Sequence, residues 1–475
     1  MNKKLLLLLI LGMVLTASIP VLSASVTAEN ESTQETGTAK PKITLAGLHE
    51  NKEQTSASNP FSQTKFVPGI SFILDFSYVH RDLDQEIFES LEVPGFLHGH
   101  THEESSGHTH AHMNAEKGFN LNYGELVLYA AVDPYFDLFT AFHLSENSFE
   151  IEEAYVNSRS LPFGFRAKLG KFLSGFGRIN AQHAHYWEFV DIPLVYRAFF
   201  GEHGLLEKGV QLNWVAPTDF YLGFGVESLQ GTNENSFGTG EFNLLDAESK
   251  EDIALDDVVL PNTWVLFGKT SVDIGDFVVL AGASYAFGKS RIDHFEEDES
   301  PHGFAGNSKI LGFDLTLKYI IDSYRSVTFQ AEYITRKMEG TRYAVQESTD
   351  TANTLEEDDE AHENDVFEVA GAPMEKNQAG MYARLVYRFH KLWRLGAHWD
   401  WLNKNNVRLD GNSLDLPDTL NRYSFMIDFN PTEFSRIRLQ YNINRFAYSE
   451  GERKNYHEVV VQFNLAIGAH GAHAF

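Results

Sequence analysis

The chain alternates apolar and polar residues with a period of two through most of its length after Phe66. The segment 433–446, EFSRIRLQYNINRF, shows the pattern most clearly. Its apolar positions are Ile437, Leu439, Tyr441 and Ile443, and its polar positions are Arg436, Arg438, Gln440, Asn442 and Asn444. Successive side chains of a β-strand point to opposite faces, so this alternation predicts a strand with one apolar and one polar face.

The same reading predicts about sixteen strands, joined alternately by short turns and by connections that are mostly long and polar. The predicted ranges are 69–82, 121–133, 135–144, 149–159, 164–173, 208–215, 219–228, 263–272, 276–287, 309–321, 325–337, 379–389, 392–402, 421–430, 433–446 and 456–467. An even strand count with short turns at one end and long loops at the other is typical of a transmembrane antiparallel β-barrel, an all-β fold. The alternative is a soluble β-sandwich or propeller with its apolar faces turned inward.

The N-terminus determines how the chain is divided. Lys3 and Lys4, an apolar run from Leu5 to Leu15 and the small residues that follow predict a secretory signal peptide over residues 1–24, with residue 28 as the alternative cleavage position. Residues 25–66 are polar and predict a flexible lead-in, and 67–475 form the predicted barrel. No later run is apolar enough for a transmembrane helix.

Composition excludes several functions. The 475 residues carry a net charge of −28 and no cysteine, which argues against nucleic-acid binding, disulfides and thiolate metal sites. None of the common hydrolase, metalloprotease or nucleotide-binding motifs occurs, so no enzyme is predicted.

Basic residues recur at polar-face strand positions, where they would line the interior of a barrel. We expect this ladder to face water and to set ion selectivity, since rings of charge act strongly inside pores. Its members are Arg166, Lys168, Arg336, Arg384, Arg388, Arg394, Arg422, Arg436 and Arg438.

One block of sequence resembles the phosphate-selective porin group of outer-membrane proteins. The matching motifs are EEAYV at 152–156, GKF at 170–172, FGR at 176–178 and FVDIPL at 189–194. The resemblance implies a sixteen-stranded porin, normally a homotrimer, with its third external loop, 174–207, folded into the interior; solute specificity is not carried over. Candidate constriction residues in that loop are Arg178, His183, His185, Glu188, Asp191 and Arg197; packing against the barrel wall is an equally open interpretation of the two histidines, Glu188 and Asp191.

A histidine-rich tract, HGHTHEESSGHTHAH at 98–112, lies in the first long connection. Its histidines are candidate ligands for Zn²⁺ or another divalent metal: His98, His100, His102, His108, His110 and His112. Adventitious metal capture, metal sensing and a plain solvated loop all remain open. Catalysis is not expected, because the glycines and serines of the tract do not hold a preorganised ligand shell.

Together these features predict a passive outer-membrane porin for small hydrophilic or ionic solutes, with no required cofactor. The alternative is an outer-membrane protein that binds or acquires zinc through the histidine-rich tract. Predicted partners are outer-membrane lipid and lipopolysaccharide, and the barrel-assembly machinery, since Phe475 is a terminal residue of the kind this machinery reads.

Overall fold

The computed structural model describes residues 68–89, 91, 93, 116–233, 235–240, 255, 258–294, 302–347, 367–414, 416, 419–449 and 451–468. The predicted signal peptide and lead-in lie outside the described residues, as does the histidine-rich tract. No helix among the described residues has the length and apolar character needed to cross a membrane.

The described residues are almost entirely β-structure. The strands are β1 Gly69–Arg81, β2 Gly118–Ala131, β3 Phe136–Leu144, β4 Phe149–Ser158, β5 Phe165–Leu173, β6 Leu206–Val215, β7 Tyr221–Leu229, β8 Thr263–Ile274, β9 Phe277–His294, β10 His302–Ile320, β11 Ser326–Glu347, β12 Phe367–His390, β13 Trp393–Leu402, β14 Asn406–Leu409, β15 Asn412–Ser413, β16 Leu420–Thr432, β17 Ser435–Ser449 and β18 Glu452–Gly468. The helices are α1 Gln85–Glu89 and α2 Leu194–Phe200, and two short 3₁₀ turns cover Pro162–Gly164 and Ala184–Tyr186.

The strands close into an antiparallel barrel. The first and last strands pair from Ser71 with Gly468 to Arg81 with Glu458. Strand β13 pairs directly with β16, while β14 and β15 form a hairpin that extends along the edge of β12. The other sixteen described strands form the wall, which confirms the predicted strand number. Each of the sixteen described wall strands pairs with two neighbours, so closure leaves no free edge in this wall.

Several strands are longer than predicted. Strands β9 to β12 continue through polar sequence as far as His294, His302, Glu347 and Phe367, so part of each predicted loop is paired sheet. Backbone hydrogen bonds need no apolar side chains, so pairing can extend past the apolar band. Strands β17 and β18 are joined by two residues rather than by the long connection predicted there.

The two faces of the wall have opposite character. On β17, Arg436 and Arg438 are 1% and 0% exposed, whereas Ile437 is 38% exposed. The same arrangement, with polar side chains buried and apolar side chains exposed, is found around the barrel. Outward-facing exposed side chains include Phe119, Leu169, Leu212, Phe224, Leu266, Phe313, Leu385, Leu395, Phe425 and Leu465. Buried polar side chains include Asp75, Glu125, Glu207, Glu227, Glu332 and Asp428. A soluble sandwich would bury its apolar face, so this arrangement disagrees with that alternative.

The connection between β5 and β6, residues 174–205, lies inside the barrel, and we call it the inner segment. All but one of the residues of its helix α2 are buried, Arg197 being the exception. Apolar side chains of the segment, including Phe176, Val195 and Phe199, pack in one cluster with Val265 and Ile334 of the wall.

Candidate channel interior

Glu332 of β11 anchors one part of the inner segment. Its carboxylate accepts hydrogen bonds from the backbone N–H groups of Arg178 at 2.8 Å and Ile179 at 2.9 Å, and from the Tyr196 hydroxyl at 2.6 Å. Gly177 precedes these donors at φ 61°, a left-handed conformation that favours glycine. The inner segment thus supplies hydrogen-bond donors to the buried Glu332 carboxylate that holds it.

Arginines of β17 hold another part of the segment. Arg436 donates to the carbonyl of His185 at 2.9 Å, and Arg438 donates to the carbonyl of Trp187 at 3.0 Å. Arg438 also donates to Asp428 at 2.9 Å. Backbone carbonyls in a buried loop need donors, and a guanidinium supplies five.

The predicted charge ladder therefore divides into two groups. The members face inward, as their alternation predicts, but Arg336, Arg384, Arg394, Arg422, Arg436 and Arg438 are buried. The expectation that the whole ladder faces water is wrong, because the inner segment and neighbouring side chains cover these six. Only Arg166, Lys168 and Arg388 retain exposure.

The candidate constriction residues do not form one ring. Glu188 pairs with Arg394 at 2.7 Å. Asp191 accepts a hydrogen bond from Gln440 at 2.8 Å, and Arg197 pairs with Glu202 at 2.7 Å.

Glu188 and Asp191 therefore contact different wall strands, β13 and β17, whereas Arg197 pairs within the inner segment itself. The backbone of Arg178 contacts Glu332 of β11. The role of these candidate residues in a constriction stays a prediction. Burial alone raises the pKa of Glu188, but the positive charges of Arg394 and Arg384 outweigh it and hold that pKa below its ordinary value.

His183 and His185 come together beside a group of carboxylates. His183 Nε2 lies 2.7 Å from Glu153 Oε2, and His185 Nδ1 lies 3.0 Å from Glu125 Oε2. Burial lowers the pKa of His183, but the charges of Glu125 and Glu152 raise it well above the ordinary value. The histidines thus pack against the wall, as one of the two interpretations predicted, and they do so through charged partners.

Sequence reasoning missed Glu125 and Glu153. Strict alternation places Glu152 and Glu153 on opposite faces, but the register between β3 and β4 shifts at Ala141 and Phe142. Such a β-bulge re-aims side chains. Glu153 and an oxygen of Glu152 are consequently both buried beside His183. The consecutive glutamates were visible in the sequence, but the bulge was not.

The inverted faces define the class of this protein: a closed β-barrel built to be surrounded by lipid, with a charged interior crossed by a loop. The chain belongs to the same family as an uncharacterized protein of Aquifex aeolicus (strain VF5), with 49% identity over 417 residues, covering 88% of this chain and 82% of the relative. No protein-family model matches the chain.

Solved structures with a similar strand arrangement include outer-membrane proteins and porins. A loop L8 deletion mutant of OmpT from Vibrio cholerae has a TM-score of 0.47 at 10% identity, covering 85% of this chain and 100% of its own. The channel DcaP of Acinetobacter baumannii has a TM-score of 0.46 at 9% identity, covering 86% and 99%. An anion-selective porin from Comamonas acidovorans has a TM-score of 0.46 at 10% identity, covering 84% and 99%. At these TM-scores and sequence identities, the structural similarity does not indicate a function for this chain.

Proposed function

We propose that this protein is an outer-membrane channel for passive diffusion of small hydrophilic or ionic solutes. The observation that carries the proposal is the closed barrel with an apolar outer face and a charged inner face. Lipid would surround the outer face, because a spanning sheet must pair every backbone group and a closed barrel does so. Some inward charges hold the inner segment, and those that remain partly exposed would contact ions or polar solutes that enter the barrel.

The channel we propose prefers anions. Lys168 of β5, Lys318 of β10 and Arg388 of β12 occupy inward positions and are only partly buried. All three lie towards the short-turn ends of their strands. Unlike Arg438, which is enclosed by Asp428 and the inner segment, these side chains would meet an entering solute. Basic groups in a low-dielectric enclosure attract anions and repel cations.

Conductance in planar lipid bilayers tests the proposal. Purified protein should give discrete current steps, and in a gradient of potassium chloride the reversal potential should have the sign of chloride preference. Absence of steps from protein folded in lipid would contradict a channel function. Current steps with a potassium preference would support the channel function but contradict the proposed anion preference.

Localisation, orientation and assembly belong to the same proposal. We place the short turns on the periplasmic side of the outer membrane and the long connections outside. Tags at Ser105 and Asp358 should then be labelled on intact cells, whereas tags at Pro134 and Pro431 should not. Outside labelling of the second pair would reverse the orientation. A homotrimer, contact with lipopolysaccharide and recognition by the barrel-assembly machinery are proposed on the resemblance to porins; cross-linking in membranes tests the trimer.

Metal acquisition through the histidine-rich tract stays a prediction, since the tract lies outside the described residues. Replacing its six histidines should remove much of the zinc bound by the purified protein without preventing barrel assembly. Loss of growth under zinc limitation in the same variant would favour acquisition over passive diffusion.

A further inference from the structure

Three side chains from separate elements converge beneath the inner segment. Glu125 of β2, Glu152 of β4 and His183 of the segment each offer one atom, and these atoms lie within 4.8 Å of one another. The atoms Glu125 Oε1, Glu152 Oε2 and His183 Nδ1 are all buried and make no hydrogen bond. Buried polar atoms without a hydrogen bond are costly, and they call for an explanation.

The two nitrogen–oxygen distances in this group suit a shared metal ion better than a shared proton. His183 Nδ1 lies 3.4 Å from Glu125 Oε1 and 3.5 Å from Glu152 Oε2. Hydrogen bonds between nitrogen and oxygen cluster at about 2.7–3.2 Å. Nitrogen and oxygen ligands about 2.0–2.2 Å from one tetrahedral ion are separated by about 3.3–3.6 Å.

The neighbouring carboxylates orient the histidine for this role. His183 Nε2 lies 2.7 Å from Glu153 Oε2, and Glu153 is itself held by the backbone N–H of Leu173 at 2.6 Å. With a proton on Nε2 alone, the lone pair of Nδ1 is directed at Glu125 and Glu152, so an ion bound there would replace the second ring proton that these carboxylates favour. A histidine that donates its second N–H to a carboxylate is the usual outer-shell arrangement at metal sites. His185 similarly contacts the other oxygen of Glu125, at 3.0 Å.

We propose that Glu125, Glu152 and His183 form a binding site for a divalent transition-metal ion such as Zn²⁺ or Co²⁺. One imidazole and two carboxylates suit such ions, whereas Ca²⁺ and Mg²⁺ prefer oxygen ligands alone. Three protein ligands leave a coordination position for water. The side chains of His183 and Glu152 are 11% and 18% exposed, although the proposed ligand atoms themselves are buried.

The bound ion would fasten the inner segment to β2 and β4. It would neutralise two of the carboxylates collected there. The site does not depend on the barrel being a conducting channel, since its ligands and its accessibility are properties of the folded interior.

Cobalt absorption spectroscopy on the full chain tests the site. The background protein carries serine in place of the six candidate histidines of the tract 98–112, so that the tract cannot supply the signal. In that background, Co²⁺ should bind in one equivalent and give the visible absorption of nitrogen and oxygen ligation. His183→Gln and Glu152→Gln should abolish this signal.

Two further variants distinguish the ligands from their surroundings. Glu153→Gln should weaken cobalt binding by about 10–100-fold, the effect of losing an outer-shell partner. Glu227→Gln is the matched control, because Glu227 is also a buried wall carboxylate that contacts the inner segment, accepting from Gly175 at 2.7 Å, yet it is not among the three proposed ligands. It should keep the cobalt signal.

The proposal would be overturned if the background protein, with the cluster intact, bound no Co²⁺; the cluster would then be an ion-pair network only. This measurement needs no substitution in the cluster, so it holds even if the ligand variants fail to fold. Retention of the full signal in folded His183→Gln, or equal loss in Glu227→Gln, would also contradict it.

Discussion

Asp400 and Arg422 face each other on β13 and β16 and together hold both sides of Pro193 in the inner segment. Arg422 Nε donates to Asp400 Oδ2 at 2.7 Å. Arg422 also donates to the carbonyl of Ile192 at 2.7 Å, and Asp400 accepts from the backbone N–H of Leu194 at 3.1 Å. The pair therefore connects two neighbouring strands and fixes the start of α2.

Breaking this pair should be costly. Arg422→Met leaves a buried carboxylate without its cation, and loss of one partner of a buried pair costs about 3–5 kcal/mol. Urea unfolding in lipid should show this loss, and adding Asp400→Leu should cost less than the two single changes summed. The control is Arg159→Met at the more exposed pair with Asp137, where about 0–1 kcal/mol is expected. Equal losses at both pairs would contradict the proposed anchor.

Charge reversal should affect different properties at two arginines of the ladder. Arg388→Glu, at a partly exposed position, should move the reversal potential toward cation preference and leave the fold intact. Arg438→Glu should instead reduce the free energy of unfolding, since it places a carboxylate beside Asp428 and the Trp187 carbonyl. An unchanged reversal potential in folded Arg388→Glu would show that another element controls permeation.

Two glycines with nearly the same φ allow strain and crowding to be separated. Gly177 has φ +61° and Gly275 has φ +62°. A Cβ added to Gly177 would overlap the Tyr196 hydroxyl and a Glu332 oxygen. A Cβ added to Gly275 would have no atom within 4 Å. Gly275→Ala should cost about 1–2 kcal/mol of backbone strain, and Gly177→Ala should cost more. Equal urea midpoints for the two variants would mean that the contacts of Glu332 with the inner segment contribute little to stability.

A charge on the outer face tests whether lipid surrounds the barrel. Phe313 of β10 is 51% exposed, and Phe313→Arg should cost about 2–4 kcal/mol for folding into lipid vesicles if the position lies near the bilayer centre. Phe163, in the turn between β4 and β5, is 89% exposed, and Phe163→Arg should cost about 0–1 kcal/mol. A harmless Phe313→Arg would support water around this face.

The sequence alone determined the strands and the direction of most strand side chains. Alternation is a local property, since each residue of a strand points opposite to its neighbour whatever lies beyond the sheet. The positions of Arg436 and Ile437 therefore predicted opposite faces, and the spacing of turns predicted sixteen strands. The ends of β9 to β12 were underestimated, because backbone pairing continues where the apolar pattern stops.

Only the tertiary structure decided what meets the inward side chains. Alternation places Arg438 inside the barrel, but its burial depends on the path of the inner segment, which joins residues more than two hundred positions apart. The meeting of Glu125, Glu152 and His183 depends in addition on a bulge that breaks the alternation. A period-two pattern records the face of a residue, whereas a binding site requires the distance between residues, and that distance is set by barrel closure and loop packing.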